Sequence, residues 1–257
     1  FVGTELGHKF PKSVHELSDV LSQYTLSLAS AWHSTYFVGN DNLEEELLKL
    51  RKRCSFLLQS GCFNINLAEC SFTVHGNKKI PISQRTIFNK EQWKKLIDGL
   101  NQAGKICNDL GMKACYHHHI GTGVQTLQEI ERLMDNTVPE KVYLCADTGH
   151  IYFSGADPLI LFQKYMSRIA HIHLKDIRHE VLQKVCDNDM SFLSAVLSGV
   201  FTVPGDGTIN YQPIFDLILA SDYHGWMIVE AEQDPVKAHP LMYAKKAREY
   251  IRRLTSL

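Results

Sequence analysis

The chain lacks any apolar run near the roughly 18 residues of a membrane-spanning helix, and no signal-peptide pattern opens it. The expectation is therefore a cytoplasmic protein that does not use a membrane. Charge of one sign is also missing: 27 Lys and Arg stand against 28 Asp and Glu, a net −1. That balance gives no electrostatic footprint for nucleic acid or an anionic lipid surface. The basic runs at 50–53 (LRKR) and 245–253 are flanked by periodic apolar residues and read as solvated helix faces. None of the seven cysteines (54, 62, 70, 107, 115, 145 and 186) forms a CxxC pair. Most sit inside apolar patterns, so they read as reduced, buried thiols. There is no low-complexity segment and no linker, so residues 1–257 read as a single domain, 44% hydrophobic and able to bury a sizeable core. GDG at 205–207 lacks the glycine spacing and following lysine of a phosphate cradle, and reads as a turn.

What is present is alternation. Strand-like stretches fall at 2–6, 26–32, 62–68, 113–119, 142–147, 169–174 and 226–232. Several are almost wholly apolar, as in a parallel sheet covered by helices on both faces. Helical patterns lie between them at 13–23, 42–60, 90–110, 126–134, 158–166, 211–220 and 238–254, with Asp41 or Asn42 as a cap and Gly111 as a C-terminal stop. The stretches at 70–90 and 177–210 read as loops over one face. The fold class is α/β.

The polar residues choose among α/β folds. Glu5 and His8, Trp32 and His33, Asn64 and Glu69, the run HHH at 117–119 with Gln125, Asp147 and His150, the motif HIHLKD at 171–176, and Glu230 with Glu232 are spread over the strand ends of the whole chain. That is how a (β/α)8 TIM barrel builds its site, from the loop after every strand. Such a barrel needs eight strands. The chain begins at Phe1, without Met and already in a strand, so the first βα unit is expected to be absent. So many polar groups on one face would be costly to bury without a shared partner, and a divalent metal supplies one. Mixed Asp, Glu and His ligands suit Mn, Co, Fe or Zn better than Ca or Mg. Along a strand, His171 and His173 face one way, and Glu230 with Glu232 likewise.

These residues also carry a resemblance. HHHIGTGVQT, DTGHIYFSGADP, HIHLKDIR, GVFTVPGDGTINYQPIF and GWMIVEAEQDPVKAHP together resemble the inosose dehydratases, within the xylose-isomerase-like barrel superfamily. The resemblance spans essentially the whole chain, and GTELGHKFPK at 3–12 is similar to the family's second strand. It implies a hydro-lyase that converts 2-keto-myo-inositol to a trihydroxycyclohexane-1,2-dione and water, with Mn or Co as the metal. It implies Asp147, His173 and Glu230 as metal ligands. At the fourth position the superfamily has Glu where this chain has Gln125, so the role falls to Gln125, or to His117 or His119. His119 and His150 are implied as acid and base in unassigned order, with Lys175 as an oxyanion partner. Glu5, Trp32, His33, His117, Arg178 and Glu232 are implied around a polyol ketone substrate, in an enzyme that relatives suggest as a homo-oligomer. The alternative of the same superfamily is a keto-sugar or inosose isomerase or epimerase. A metal-dependent nuclease wants a basic groove that this chain lacks. A non-catalytic sugar-binding barrel would have no reason to keep a metal.

Overall fold

The computed structural model of the chain describes residues 1–256. Its strands, in order, are β1 (Gly3–Leu6), β2 (Ser27–Thr35), β3 (Asn64–Glu69), β4 (Lys113–His117), β5 (Val142–Asp147), β6 (Ile169–Leu174), β7 (Asp176–Ile177), β8 (Phe201–Thr202) and β9 (Trp226–Val229). The helices are α1 (Val14–Gln23), α2 (Leu43–Gln59), α3 (Lys90–Asp109), α4 (Leu127–Asn136), α5 (Thr148–Phe153), α6 (Pro158–Tyr165), α7 (His179–Asp187), α8 (Phe192–Leu197), α9 (Gln212–Leu219) and α10 (Pro240–Thr255). β1 to β6 and β9 pair in chain order, every pair parallel, into one seven-stranded sheet. β7 and β8 make a small antiparallel pair beside it.

The apolar strands are buried on both faces, as their composition requires: all six residues of β6 are buried, and so are five of the six in β3. Local chemistry sets the helix starts. Asn42, not Asp41, caps α2 by accepting from Glu45 N, while Asp41 pairs with Lys95. Asn89 and Thr126 each close a capping box, with Gln92 and Glu129.

The sheet curls as in a TIM barrel but holds seven strands rather than eight, and it stays open between β1 and β9. A cavity of about 610 Å³ runs along that seam, lined among others by Thr4, Leu26, Trp226 and Ile228. The Trp226 ring closes on Gly3, where a Cβ would lie 2.5 Å from it.

The two long stretches over the strand ends are tied to each other. Ile82 N donates to Met190 O at 3.1 Å, and Ser83 Oγ donates to Asp189 at 2.7 Å. The stretch expected as a loop at 177–210 contains α7 and α8, whose apolar residues Leu182, Val185, Phe192 and Ala195 pack inward. The last strand ends at Val229, so Glu230 and Glu232 lie just beyond the sheet.

Candidate active site

Parallel strands place their last residues side by side. The register sets His117 against Cys145 and Asp147 against His173. Asp147 uses its two oxygens differently. Oδ1 accepts from His150 N at 2.8 Å and so caps α5. Oδ2 is left for His117 Nε2 at 3.3 Å, Lys175 Nζ at 3.2 Å and His173 Nδ1 at 3.5 Å. Thr148 anchors the neighbouring strand end, donating to Lys175 O at 2.8 Å. Gly149 lets the Lys175 stem pass, since a Cβ there would lie 2.6 Å from its Cγ.

Lys175 is fully buried, and its ammonium sits among three carboxylates: Glu232 at 2.9 Å, Glu230 at 3.0 Å and Asp147. Burial opposes the charge, but the carboxylates outweigh it and hold Lys175 well above its ordinary pKa. Burial likewise pushes Asp147 and Glu230 up, and Lys175 overcomes it to hold both below the usual carboxylate range. His150 Nε2 accepts from Lys175 Nζ at 3.0 Å.

Behind this layer stands Glu5. Its Oε1 accepts from His171 Nε2 at 2.7 Å, His173 Nε2 at 3.0 Å and Asn66 Nδ2 at 2.9 Å, and also from the Ser30 hydroxyl. His171 and His173 do face the same way, as alternation requires.

His117, Asp147, His173 and Glu230 each offer one donor atom, all within 4.8 Å of one another. The fit of this set to a metal rests on its lone pairs. His173 Nδ1 and Glu230 Oε2 lie 2.9 Å apart, and both are buried without a hydrogen bond; the ionic neighbour of that oxygen is the Lys175 ammonium at 3.0 Å. Four carboxylates, those of Glu5, Asp147, Glu230 and Glu232, converge here, and the fixed cation among them is Lys175. A divalent cation would satisfy both the orphaned atoms and the surplus of negative charge. The residues present therefore fit a divalent metal.

Three sequence expectations are corrected. Gln125 is outside the cluster: its Oε1 accepts from Gly121 N at 2.8 Å and closes the turn after β4, and of its two alternatives His117, not His119, stands with Asp147, His173 and Glu230. His33 cannot share the pocket with Trp32, because adjacent strand residues face opposite ways. The Trp32 ring stands edge-on to His117 and His119 at 5.3 and 5.8 Å, while His33 turns toward Glu46, Lys49 and Arg53 of α2. Arg178 is taken up by the protein itself, donating to Gly199 O at 2.7 Å, Thr202 Oγ1 at 2.9 Å and Asp206 at 2.7 Å. It clasps the GDG turn together with Asp176, whose carboxylate accepts from the amides of Ile177, Gly205, Gly207 and Ile209. Glu5 meets the site through His171 and His173 and also lines the seam cavity. Of the other strand-end residues, His8 is exposed, Asn64 lies at the start of β3, and Glu69 binds the amides of Phe37 and Ser71.

His118 is turned away from the pocket, buried under Asp147, whose amide donates to its Nε2 at 3.3 Å. His119 is brought in: its ring packs against His150 at 4.0 Å, and its Nε2 lies 3.8 Å from Glu232. The structure adds two residues not singled out in the sequence. Phe192 of α8 packs on His119 at 4.9 Å and covers His150 at 6.1 Å. His75, from the stretch after β3, packs on His119 at 5.0 Å. Neither lies in a periodic pattern that would announce it.

The chain matches the family described as xylose isomerase-like TIM barrel over residues 5–254. It is 46% identical over 258 residues to an inosose dehydratase of Geobacillus thermodenitrificans, covering 100% of this chain and 86% of the relative. It is 47% identical over 256 residues to an inosose dehydratase of Clostridium beijerinckii, covering 99% and 86%. Among solved structures, a probable 3-DHS dehydratase, AsbF, involved in petrobactin synthesis in Bacillus anthracis superposes with a TM-score of 0.72 at 17% identity, over 98% of this chain and 88% of that one. The IOLI protein, solved with a bound zinc atom, gives 0.70 at 15% identity, over 95% and 82%. At those identities the likeness is one of fold.

Proposed function

Because the chain belongs to the xylose isomerase-like TIM barrel family, and within it to the inosose dehydratases, we infer that it is a hydro-lyase acting on an inosose. The substrate we assign is 2-keto-myo-inositol, and the product is 3D-trihydroxycyclohexane-1,2-dione with water. The observation that carries this reading is the converging set His117, Asp147, His173 and Glu230 with Lys175 in their midst. It meets the needs of a reaction that builds negative charge next to a ketone.

Dehydration breaks the C–H bond beside the ketone and sends its electrons into an enediolate. The enediolate then expels the β-hydroxyl, which takes up a proton and leaves as water. The remaining enol rearranges to the dione. A divalent ion held by the four donors, for which the resemblance favours Mn or Co, would supply Lewis-acid stabilisation of the enediolate. Lys175, fixed as an ammonium, sets a positive charge close to where an oxygen gains negative charge. His150 orients Lys175, because its Nε2 lone pair is taken up by that ammonium. His119 keeps its Nε2 free at the open side and can move a proton there. Trp32 and Phe192 wall the space around it and exclude water. Glu232 holds Lys175 from the open side and is near enough to meet a substrate hydroxyl. The free cysteines fit a reducing cytoplasm.

The test is metal analysis of wild type and His173→Ala, paired with a dione absorbance assay on 2-keto-myo-inositol. About one ion per chain, lost in the variant together with dione formation, is expected. Bound metal without dione would move the reading to an isomerase or epimerase, and a wild type that binds no metal would refute it.

A further inference from the structure

We propose that His75 is the base that removes the proton beside the ketone, with His119 as its partner acid at the departing hydroxyl. The proposal rests on the dehydratase reading above and names the proton acceptor within it.

A base needs an unprotonated nitrogen that no protein group already occupies. Most imidazoles around the site have Nε2 engaged, and their remaining nitrogen, Nδ1, is buried away from the open side. His117 Nε2 is engaged by Asp147, His118 Nε2 by the Asp147 amide, and His150 Nε2 by Lys175. His171 and His173 Nε2 are both engaged by Glu5. Among the described residues at the site, His75 and His119 keep an Nε2 without a hydrogen-bond partner.

Both rings have their tautomer fixed from the other nitrogen. His119 Nδ1 lies 2.7 Å from Ile120 O, which can only accept, so Nδ1 carries the proton and Nε2 the lone pair. For His75 the partner is a hydroxyl, and the next bond in the chain decides its direction. Thr73 Oγ1 has one proton, which it gives to Gly121 O at 2.9 Å. Toward His75 Nδ1, its close neighbour, Thr73 can only accept, as it also does from His75 N at 3.3 Å. His75 therefore carries its proton on Nδ1 and offers a bare Nε2. The Thr73 oxygen also favours the positive charge that the ring acquires when it takes a proton.

The placement is built into the fold. Gly121 sits at φ +81°, and a Cβ there would come within 3.0 Å of His75 N. Val74 N donates to Gly121 O at 2.9 Å. The turn after β4 and the stretch after β3 are thus locked together, with His75 packed between His119 at 5.0 Å and Phe192 at 6.4 Å. Burial keeps the ring neutral, with its pKa lowered to about 4.

The protons balance. His75 Nε2 takes the carbon-bound proton and passes it to the bare Nε2 of the adjacent His119 ring; His119, now an imidazolium, gives that same proton to the β-hydroxyl, which leaves as water beside Glu232. Both rings end neutral, as they began.

The test compares wild type, His75→Gln, Thr73→Val and His119→Gln by two rates. One is washout of the α-proton of the inosose into deuterium oxide, followed by NMR; the other is dione formation. His75→Gln should lower both rates by about 100-fold or more, at unchanged metal content and thermal midpoint. Thr73→Val should lower both by a smaller factor. His119→Gln should keep the washout and lose the dione. In parallel, 15N spectra of histidine-labelled protein should show His75 as the Nδ1–H tautomer in wild type, and a mixture in Thr73→Val. The proposal is overturned by His75→Gln rates within threefold of wild type, by washout that survives the loss of dione in that variant, or by a wild-type proton on Nε2. A wild type that gives neither washout nor dione, with the Nδ1–H tautomer intact, overturns the dehydratase reading itself and the role of His75 with it.

Discussion

Replacing Glu5 by Gln separates two roles for this carboxylate: contact with substrate, as the sequence suggests, and support of the imidazoles, as the geometry suggests. Its Oε1 gathers His171, His173, Asn66 and Ser30. Burial opposes its charge, but the two histidines outweigh burial and hold its pKa well below the usual range. The amide keeps the shape and one acceptor oxygen, and removes the charge. Charge-assisted bonds are roughly twice as strong as neutral ones, so the two imidazole bonds at 2.7 and 3.0 Å weaken most. His173 then loses both its orientation and the added basicity of its other nitrogen. Losing such a supporting carboxylate typically costs about 10- to 100-fold in metal affinity, about 1.4–2.8 kcal/mol. The assay is equilibrium competition with a chromophoric chelator for Mn or Co, with KM for the inosose measured alongside. Metal affinity within twofold of wild type, with KM raised tenfold, would refute the reasoning and return Glu5 to the substrate.

Gln125→Ala should keep full metal occupancy and cost about 1 kcal/mol in urea unfolding, since it removes one bond to Gly121; loss of metal would restore Gln125 as a ligand. Lys175→Met should destabilise the metal-free protein by about 3 kcal/mol, held to the lower end because Glu230 and Glu232 keep contact with water. Added metal should recover part of that loss, and a variant as stable as wild type would contradict the ion-paired arrangement. Partial burial, with Arg53 nearby, lowers the pKa of half-buried His33 from 6.5 to about 4. The unfolded chain takes up that proton first, so the stability this neutral ring keeps above pH 6.5 is lost as pH falls toward 4. Between pH 7.5 and 4.5, wild type should lose about 2 kcal/mol more than His33→Gln in urea unfolding. Equal losses would place the His33 ring in water.

The fold was legible where one physical requirement dominates. Strands covered on both faces must be apolar along their length, so β5 and β6 can be read to the residue from VYLCAD and IAHIHL. The start of α2 was legible through its cap, and Asn42 prevailed over Asp41 because only one of them reaches the first-turn amide. The residues at 178–197 were not legible as helices. α7 and α8 are short, and their helical state comes from packing over the site rather than from propensity.

The candidate site divides along the same line. Residue type and position at a strand end were enough to bring Asp147, His173, Lys175 and Glu230 together, because a parallel sheet sets its last residues in one layer. The direction of each side chain was a separate matter. Ser30 and Trp32 both face the pocket, so period two turns His33 to α2, and that much could have been read from β2 alone. Beyond the strand no such period applies. Gln125, Arg178 and His75 all lie in connections, where backbone groups compete for their polar atoms, and which atoms win depends on tertiary contacts. Gln125 and Arg178 are consumed by carbonyls, amides and Asp206, whereas Thr73 spends its one proton on Gly121 and leaves His75 with a lone pair. The residues proposed to hold the metal are thus written at the strand ends, and the groups proposed to move protons over them are selected by hydrogen-bond direction in the loops.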